Sequence, residues 1–215
     1  MALIAGATGL VGKELLALLL ADNACREVHS LVRKPSPQQH AKLRSHVVDF
    51  AALTQSPPTL PQIDEMYICL GTTIKVAGSK EAFKAVDFDA FVAVAGIGIA
   101  QGATKLGVIS AMGASSSSSV FYSRIKGQME ETISKLGYQS VTIVRPSFLA
   151  GDRESLQQAS RPSENIALAA MHLFNPFIPN NYKAVQASDV AASLQRQVRK
   201  AVAGQTILLS GQLHS

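Results

Sequence analysis

Cysteine, signal-peptide features and long apolar runs are all scarce in this chain of 215 residues. Its two cysteines, Cys25 and Cys69, cannot build a disulfide framework and show no metal-site spacing, which favours a reducing compartment. The N-terminus lacks the basic region of a signal peptide. The longest apolar run, 90–100, is shorter than the roughly 18 residues that a membrane-spanning helix requires. These absences lead us to expect a cytoplasmic protein that does not enter a membrane.

Charged residues are also few, at 16%, while hydrophobic residues account for 47% of the chain. This composition excludes a disordered chain and supplies enough apolar side chains for a core. Because a domain takes roughly 100–200 residues, we expect one domain over 1–215. The net charge of +5 suits nucleic acid, an anionic membrane surface or an anionic small molecule. No nucleic-acid motif and no basic groove with interleaved aromatics is present, so we expect a small-molecule ligand and no nucleic acid.

Apolar segments typical of strands and helices alternate along the chain. Strands are predicted at 2–5, 28–32, 46–50, 65–70, 107–110, 141–144 and 206–209, and helices at 13–21, 79–100, 121–136, 164–174 and 189–201. Ser79 is the expected N-cap of the second helix. This alternation predicts an α/β fold, a single-domain, Rossmann-like, doubly wound and mostly parallel sheet with helices on both faces. A ligand of such a fold lies at the carboxyl ends of the strands. We expect residues 151–185 to form a substrate-side elaboration of the domain.

A glycine-rich turn joins the first predicted strand to the first predicted helix. The G-x-x-G-x-x-G spacing in this context is typical of a dinucleotide fingerprint, where glycines allow a sharp turn, approach of the backbone to pyrophosphate and helix–strand packing. Free N–H groups at the helix N-terminus would bind the phosphates. The residues predicted to contact the cofactor here are Gly6, Thr8, Gly9, Leu10, Val11 and Gly12. A purely structural tight turn is the alternative.

The end of the second predicted strand indicates which dinucleotide is bound. An acid there would bind the ribose 2′-hydroxyl of NAD, whereas arginine suits the 2′-phosphate of NADP. This chain has Arg33 and Lys34 there and no acid nearby, so we predict NADP, with NAD less favoured; a solvated basic turn is the alternative. Asp49 and Phe50 end the third predicted strand and are predicted beside the adenine, although an aspartate there serves equally well as a loop cap.

A Y-x-x-x-K motif, Tyr122 to Lys126, lies on a predicted helix, and its spacing places both side chains on one face. Ser110 ends the preceding strand. In isolation, such a motif is commonly a packed tyrosine and a solvated lysine. Together with the glycine-rich turn and Arg145-Pro146-Ser147 after the sixth strand, it resembles the extended or atypical branch of the short-chain dehydrogenase/reductase superfamily.

More narrowly, the chain resembles small NAD(P)-binding proteins related to the Tat-interacting, tumour-suppressor oxidoreductase-like protein. The matching stretches are 69–73, 77–83, 86–87 and 122–130, and the resemblance covers nearly the whole chain. It implies that Leu70, Gly71 and Thr72 also contact the cofactor, and that Pro146 and Ser147 lie beside the nicotinamide. The asparagine-rich turn that many members carry after the fourth strand is absent, as expected for the atypical branch.

The resemblance implies catalytic roles for Ser110, Tyr122 and Lys126. Tyr122 would be the general acid–base, giving a proton to a carbonyl oxygen as hydride reaches the carbon. A free tyrosine has a pKa near 10, and positive charge from a lysine and the nicotinamide lowers it. Lys126 would also hold the nicotinamide ribose, and both it and Tyr122 would contact the cofactor. Ser110 would orient the carbonyl oxygen, with Ser115 or a neighbour as the alternative.

These residues favour an NADP-dependent oxidoreductase acting on a small carbonyl or alcohol. A sensor that binds NADP(H) without catalysis is the alternative, motivated by the short segment before the last helix; a nucleotide-sugar epimerase is a weaker one, since the usual larger C-terminal domain is not seen. Residues 169–177 would line a substrate pocket or pack on the sheet edge. The five histidines lack metal-ligand spacing, so no metal is expected. The oligomeric state stays open between monomer and homodimer.

Overall fold

Seven parallel strands form the central sheet of the computed structural model, which describes residues 1–150 and 180–213. The strands of the chain are β1 (Ala2–Ala5), β2 (Val28–Val32), β3 (Leu43–Val47), β4 (Glu65–Ile68), β5 (Lys105–Ile109), β6 (Ser140–Arg145), β7 (Leu149–Ala150), β8 (Val185–Gln186) and β9 (Gly204–Leu209). The spatial order in the central sheet is β3-β2-β1-β4-β5-β6-β9, and every neighbouring pair is parallel. Short strands β7 and β8 pair separately.

Helices connect the strands and cover both faces of the sheet. They are α1 (Leu10–Ala21), α2 (Ile74–Ala77), α3 (Lys80–Lys84), α4 (Phe91–Ala100), α5 (Phe121–Ser134) and α6 (Ala187–Lys200). A π-helical turn, Ala85–Ala90, joins α3 to α4, and 3₁₀ turns lie at Asn180–Tyr182 and Ser210–Gln212. In the part of the chain that the structure describes, none of these helices has the length and apolar character needed to cross a bilayer.

The core has two layers, one on each side of the sheet. Helices α1 and α6 cover one face, and α4 and α5 cover the other. The side chains that fill these layers are nearly inaccessible to solvent and come at helical spacing: Leu15, Leu19, Val190 and Leu194 on one side, and Phe91, Val94, Met129 and Ile133 on the other. Strands buried on both faces are almost wholly apolar, as in β1. The predicted doubly wound, Rossmann-like fold is confirmed.

The strand order places the functional edge of the sheet. The chain builds outward from β1 to β3 on one side and from β4 to β9 on the other. The direction therefore reverses between β1 and β4, and a doubly wound fold binds its ligand at the carboxyl ends of the strands near this point.

Two predicted elements differ from those observed. The third strand is Leu43–Val47 rather than 46–50, so Asp49 and Phe50 follow it in a loop. It is an edge strand with polar, exposed residues, and such residues protect a sheet edge from pairing with other chains. Because the strand is not an apolar run, its position could not be predicted from apolar residues. The helix predicted over 79–100 begins at its expected N-cap, because the Ala82 N–H donates to Ser79 Oγ at 3.0 Å. The wider π-helical turn within it has no sequence signature of its own.

Three predictions fall largely outside the described residues. These are the helix at 164–174, the pocket wall at 169–177 and most of the elaboration at 151–185.

Candidate cofactor and active site

The glycine-rich turn is packed tightly against both neighbouring elements. Gly6 has a φ of +86°, and a Cβ there would lie 2.5 Å from the Cys69 carbonyl carbon. A Cβ on Gly12 would lie 2.0 Å from the Gly6 carbonyl oxygen, so α1 packs directly on the turn. Gly9, the N-cap of α1, provides no side-chain hydrogen bond to the first helical turn. The first N–H groups of α1 therefore have no side-chain cap and suit a phosphate.

Gly12→Ala should lower the free energy of unfolding by about 1–3 kcal/mol, because the added methyl overlaps backbone that cannot easily move. Urea denaturation measures this effect. The matched control is Gly96→Ala in α4, where a Cβ meets nothing within 4 Å. That change should stabilise the protein by roughly 0.5–1 kcal/mol, since alanine suits a helix better than glycine. Equal stability of both variants would contradict the packing described here.

The loop after β4 lies between the glycine-rich turn and helix α5, which carries the Y-x-x-x-K motif. The Thr72 N–H donates to Asp87 Oδ2 at 2.9 Å. Asp87 Oδ1 lies 2.6 Å from Lys126 Nζ. A Cβ added to Gly71 would lie 3.9 Å from the same Nζ. Gly6 also lies close to the backbone of Cys69, which precedes this loop. Contacts therefore run without a break from the glycine-rich turn through the loop after β4 to Lys126.

Lys126 is buried rather than solvated. Its side chain is 4% exposed, and the Asp87 side chain is fully inaccessible. Lys126 Nζ also lies 5.7 Å from the centre of the Phe91 ring, over its face. Removing one member of such a buried pair typically costs about 3–5 kcal/mol, because the other charge is left without a partner.

The sequence did not identify Asp87 as a functional residue. Its signals were its place in the matching stretch 86–87 and its position three residues before the apolar run 90–100. Asp87 reaches Lys126 because the π-helical turn Ala85–Ala90 packs against α5. Single π-helical turns are rare and occur frequently at functional sites.

Tyr122 lies in the first turn of α5, one turn before Lys126 on the same face. It is half-buried, and its ring centre lies 5.3 Å from that of Phe83, in a tilted arrangement. Phe83 belongs to α3 and is fully buried. This contact restricts the ring of Tyr122 while the start of α5 stays at the carboxyl edge of the sheet.

Ser110 directly follows β5 and is 6% exposed. Its N–H donates to the Val144 carbonyl at 2.8 Å, but its hydroxyl has no hydrogen-bond partner among the described residues. Buried hydroxyls are almost always paired, so this one suits a ligand. The alternative, Ser115, is exposed, and its hydroxyl lies 3.1 Å from that of Ser117. The geometry therefore favours Ser110 over Ser115.

The residues predicted around the adenosine half lie at the same edge of the sheet. Arg33 and Lys34 follow β2 and are exposed. Asp49 is exposed, and its Oδ1 accepts from the Ala51 N–H at 2.9 Å, which is the loop-capping arrangement. Phe50 is half-buried and packs against the core layer on the α4 and α5 side.

After β6, Pro146 is buried and its carbonyl accepts from the Met112 N–H at 3.0 Å, which ties this loop to the segment after Ser110. Ser147 is used within the protein: its N–H donates to Ser210 Oγ at 2.7 Å, and its hydroxyl donates to the Lys183 carbonyl. The Ser147 side chain thus connects β6 to the C-terminal segment.

Cys69 lies beside the glycine-rich turn, in surroundings that disfavour its thiolate. Desolvation by burial raises the pKa of the Cys69 thiol to about 12. A thiol with so high a pKa has almost no nucleophilic thiolate at neutral pH.

Comparison with known proteins assigns the family. The family described as NAD(P)H-binding matches residues 6–171. Protein HTATIP2 of Rattus norvegicus is 33% identical over 167 residues, covering 76% of this chain and 67% of the rat protein. The mitochondrial protein fmp52 of Emericella nidulans is 34% identical over 168 residues, covering 75% of this chain and 70% of its own.

Solved structures show the same fold. MoeE5 in complex with UDP-glucuronic acid and NAD superposes with a TM-score of 0.71 at 16% identity, over 98% of this chain and 76% of its own. Helicobacter pylori ADP-L-glycero-D-manno-heptose-6-epimerase superposes with a TM-score of 0.68 at 16% identity, over 97% of this chain and 76% of its own.

The relatives also correct one prediction. The FMP52 relatives of several fungi are described as mitochondrial, which contradicts the cytoplasmic location expected from the sequence. The location was inferred from missing signals alone, and such absences do not distinguish one compartment from another. The match over residues 6–171, the relatives and the fold together assign the family: the chain belongs to the NAD(P)H-binding family, as an atypical short-chain dehydrogenase/reductase resembling HTATIP2.

Proposed function

We propose that this protein is an NADP-dependent oxidoreductase that transfers a hydride to or from a small carbonyl or alcohol, with Tyr122 as the general acid–base. The observation that carries the proposal is the contact path from the glycine-rich turn through Gly71 and Thr72 to Lys126. This path puts the lysine of the Y-x-x-x-K motif against the loop that touches the turn. A dinucleotide lying along this edge would extend from the turn to α5.

Each residue then has a distinct task. The turn and the N-terminus of α1 would hold the pyrophosphate, and Lys126 would hold the nicotinamide ribose. The bound dinucleotide supplies the hydride for the carbonyl carbon. Tyr122 gives its phenolic proton to the carbonyl oxygen. The hydroxyl of Ser110, which has no partner within residues 1–150 and 180–213, donates a hydrogen bond to that oxygen. The product is an alcohol, and the reverse reaction returns the proton to Tyr122.

The experiment that tests this function is a screen of aldehydes and ketones with the purified protein, in which loss of NADPH absorbance reports turnover. Turnover of at least one compound, with the alcohol as product, is the expected result. Tight binding of NADPH without turnover of any compound would contradict the proposal and would favour the cofactor sensor instead.

The preference for NADP is carried by Arg33 and Lys34, which are exposed after β2. The double change Arg33→Ala/Lys34→Ala should weaken NADPH binding by about ten- to a hundredfold, because charge-assisted hydrogen bonds contribute about 1.5–3 kcal/mol. NADH binding should barely change, since it lacks the 2′-phosphate. Titration of cofactor fluorescence measures both affinities.

Arg26→Ala is the matched control for this prediction. Arg26 is exposed near the amino end of β2, at the opposite edge of the sheet. Its removal lowers the net charge without touching the proposed phosphate site, so NADPH affinity should stay nearly constant. Equal losses of NADPH and NADH affinity in the double variant would overturn the assignment of Arg33 and Lys34 to the 2′-phosphate.

A further inference from the structure

The loop 146–148 after β6 starts where the pairing of β6 with β9 ends, at Arg145 and Leu209. The next residue of the second strand, Ser210, begins a 3₁₀ turn, so the chain leaves the sheet there. The Ser147 N–H lies just past this point, and backbone donors shielded from water almost always have a partner. A side chain supplies that partner, because the Ser147 N–H donates to Ser210 Oγ at 2.7 Å.

The same loop is bonded to a different part of the chain at each of its residues. The Pro146 carbonyl accepts the Met112 N–H at 3.0 Å, and the Phe148 carbonyl accepts the Val185 N–H at 2.9 Å. Both of these bonds join backbone to backbone, so a change of side chain does not remove either of them directly. The bond from the middle residue goes to a side chain instead. Ser210 is therefore a position at which the amino-acid sequence controls how the loop is held.

The hydroxyl of Ser210 is fully buried and is used twice. It accepts the Ser147 N–H, and it donates to Ser147 Oγ at 2.9 Å. The Ser147 hydroxyl in turn donates to the Lys183 carbonyl. Beside these bonds, the Gly211 N–H donates to Asn181 Oδ1 at 3.2 Å. Together, these bonds join the loop after β6 to the C-terminal segment and to the segment that precedes β8.

This arrangement limits what the loop can offer to a cofactor. A hydroxyl has one hydrogen to donate, and Ser147 gives its hydrogen to the Lys183 carbonyl. The contribution of the loop therefore comes from its backbone and from Pro146, and Ser210 fixes their position. Removal of one hydrogen-bond partner leaves the other group unsatisfied, so without the Ser210 hydroxyl the loop would adopt a different arrangement.

We propose that Ser210 is a positioning residue whose buried hydroxyl holds the loop 146–148 against the nicotinamide half of the bound cofactor. This inference rests on the proposed function, in which Pro146 and Ser147 lie beside the nicotinamide. Ser210 acts through the loop and not on the reacting atoms. Its effect is confined to the nicotinamide half, because the glycine-rich turn and the end of β2 hold the rest of the dinucleotide.

Two ligands that differ only in the nicotinamide test the inference without a substrate. 2′-Phospho-ADP-ribose is NADPH without its nicotinamide, and it keeps the adenosine, the pyrophosphate and the second ribose. Ser210→Ala should weaken NADPH binding by about three- to tenfold, the factor that corresponds to one lost hydrogen bond. Binding of 2′-phospho-ADP-ribose should stay nearly as it was. Isothermal titration calorimetry measures both affinities, and urea denaturation verifies that the variant is folded.

Ser140→Ala is the matched control for this experiment. Ser140 is also a buried serine, but it begins β6 and so lies at the opposite edge of the sheet. Its replacement should leave the affinity for each ligand unchanged. If Ser210→Ala weakened the binding of both ligands equally, or of neither, its hydroxyl would have only a structural role and the inference would be wrong.

A double-mutant cycle between Ser147 and Ser210 tests whether the two hydroxyls act together. Ser147→Ala keeps the N–H donor, so its selective loss of NADPH affinity should be smaller than that of Ser210→Ala. The double variant should lose less than the product of the two single factors. A full product would mean that the hydroxyls act independently, which would overturn the inference.

Ser147→Ala also covers the case in which Ser210→Ala does not fold, since Ser147 is only half-buried. Equal affinity changes for the two ligands in that variant would contradict the inference. These measurements do not depend on turnover. Failure of the oxidoreductase proposal would be seen as the absence of any reduced carbonyl compound, whereas failure of this inference would be seen in the ratio of the two affinities.

Discussion

Tyr122→Phe should lower the rate of NADPH oxidation with a carbonyl substrate by about 10²–10⁴-fold, the usual contribution of a general acid–base. Phenylalanine cannot give a proton to the carbonyl oxygen, so the alkoxide would form without neutralisation. The aromatic ring is retained, and with it the contact to Phe83 at 5.3 Å between ring centres. NADPH affinity and the free energy of unfolding should therefore change little.

Steady-state rates, NADPH titration and urea denaturation together check this result. Tyr182→Phe is the matched control, because it makes the same chemical change at a tyrosine that is 55% exposed in the 3₁₀ turn before β8. Its turnover should equal that of the unmodified protein. If Tyr122→Phe also kept full turnover, Tyr122 would not be the proton donor.

Lys126→Met should lower the free energy of unfolding by about 3–5 kcal/mol. The substitution keeps an unbranched side chain of similar length but leaves the fully buried carboxylate of Asp87 without its 2.6 Å partner. The urea midpoint measures the loss, with the slope of the transition expected to stay constant. NADPH affinity should also fall, since Lys126 is proposed to bind the ribose.

The control for this change is Lys84→Met, which breaks the pair with Asp89. That pair is solvent-exposed, at 46% and 54% for the two side chains, and exposed ion pairs contribute only about 0–1 kcal/mol. The double variant Asp87→Asn/Lys126→Met should recover much of the stability lost in Lys126→Met, because no charge is then left unpaired. A Lys126→Met protein as stable as Lys84→Met would contradict the burial of the pair.

The two results separate chemistry from structure. Tyr122→Phe should affect turnover and leave stability intact, whereas Lys126→Met should reduce both stability and cofactor affinity. A protein that only binds NADP(H) would show the second effect without the first, since it has no proton-transfer step to lose.

The sequence by itself determined the features that depend on neighbouring residues. Alternating apolar segments specified the parallel sheet, and the spacing of Gly6, Gly9 and Gly12 specified the turn between β1 and α1, because strand, turn and helix are local arrangements. The order of Ser110, Tyr122 and Lys126 along the chain indicated the family. Capping by Ser79 was equally local and was predicted correctly.

Only the tertiary structure decided which distant residues meet. Asp87 reaches Lys126 because a π-helical turn packs against α5, and Ser147 bonds to Ser210, 63 residues later. That the Ser110 hydroxyl has no partner in the described part of the chain likewise depends on its surroundings in space. The polar edge strand β3 is stabilised by pairing with β2 rather than by its own pattern. The periodicity of apolar residues indicates which face of a helix or strand is buried. Which side chains pair at the carboxyl ends of the strands depends on how the sheet places distant segments of the chain next to each other.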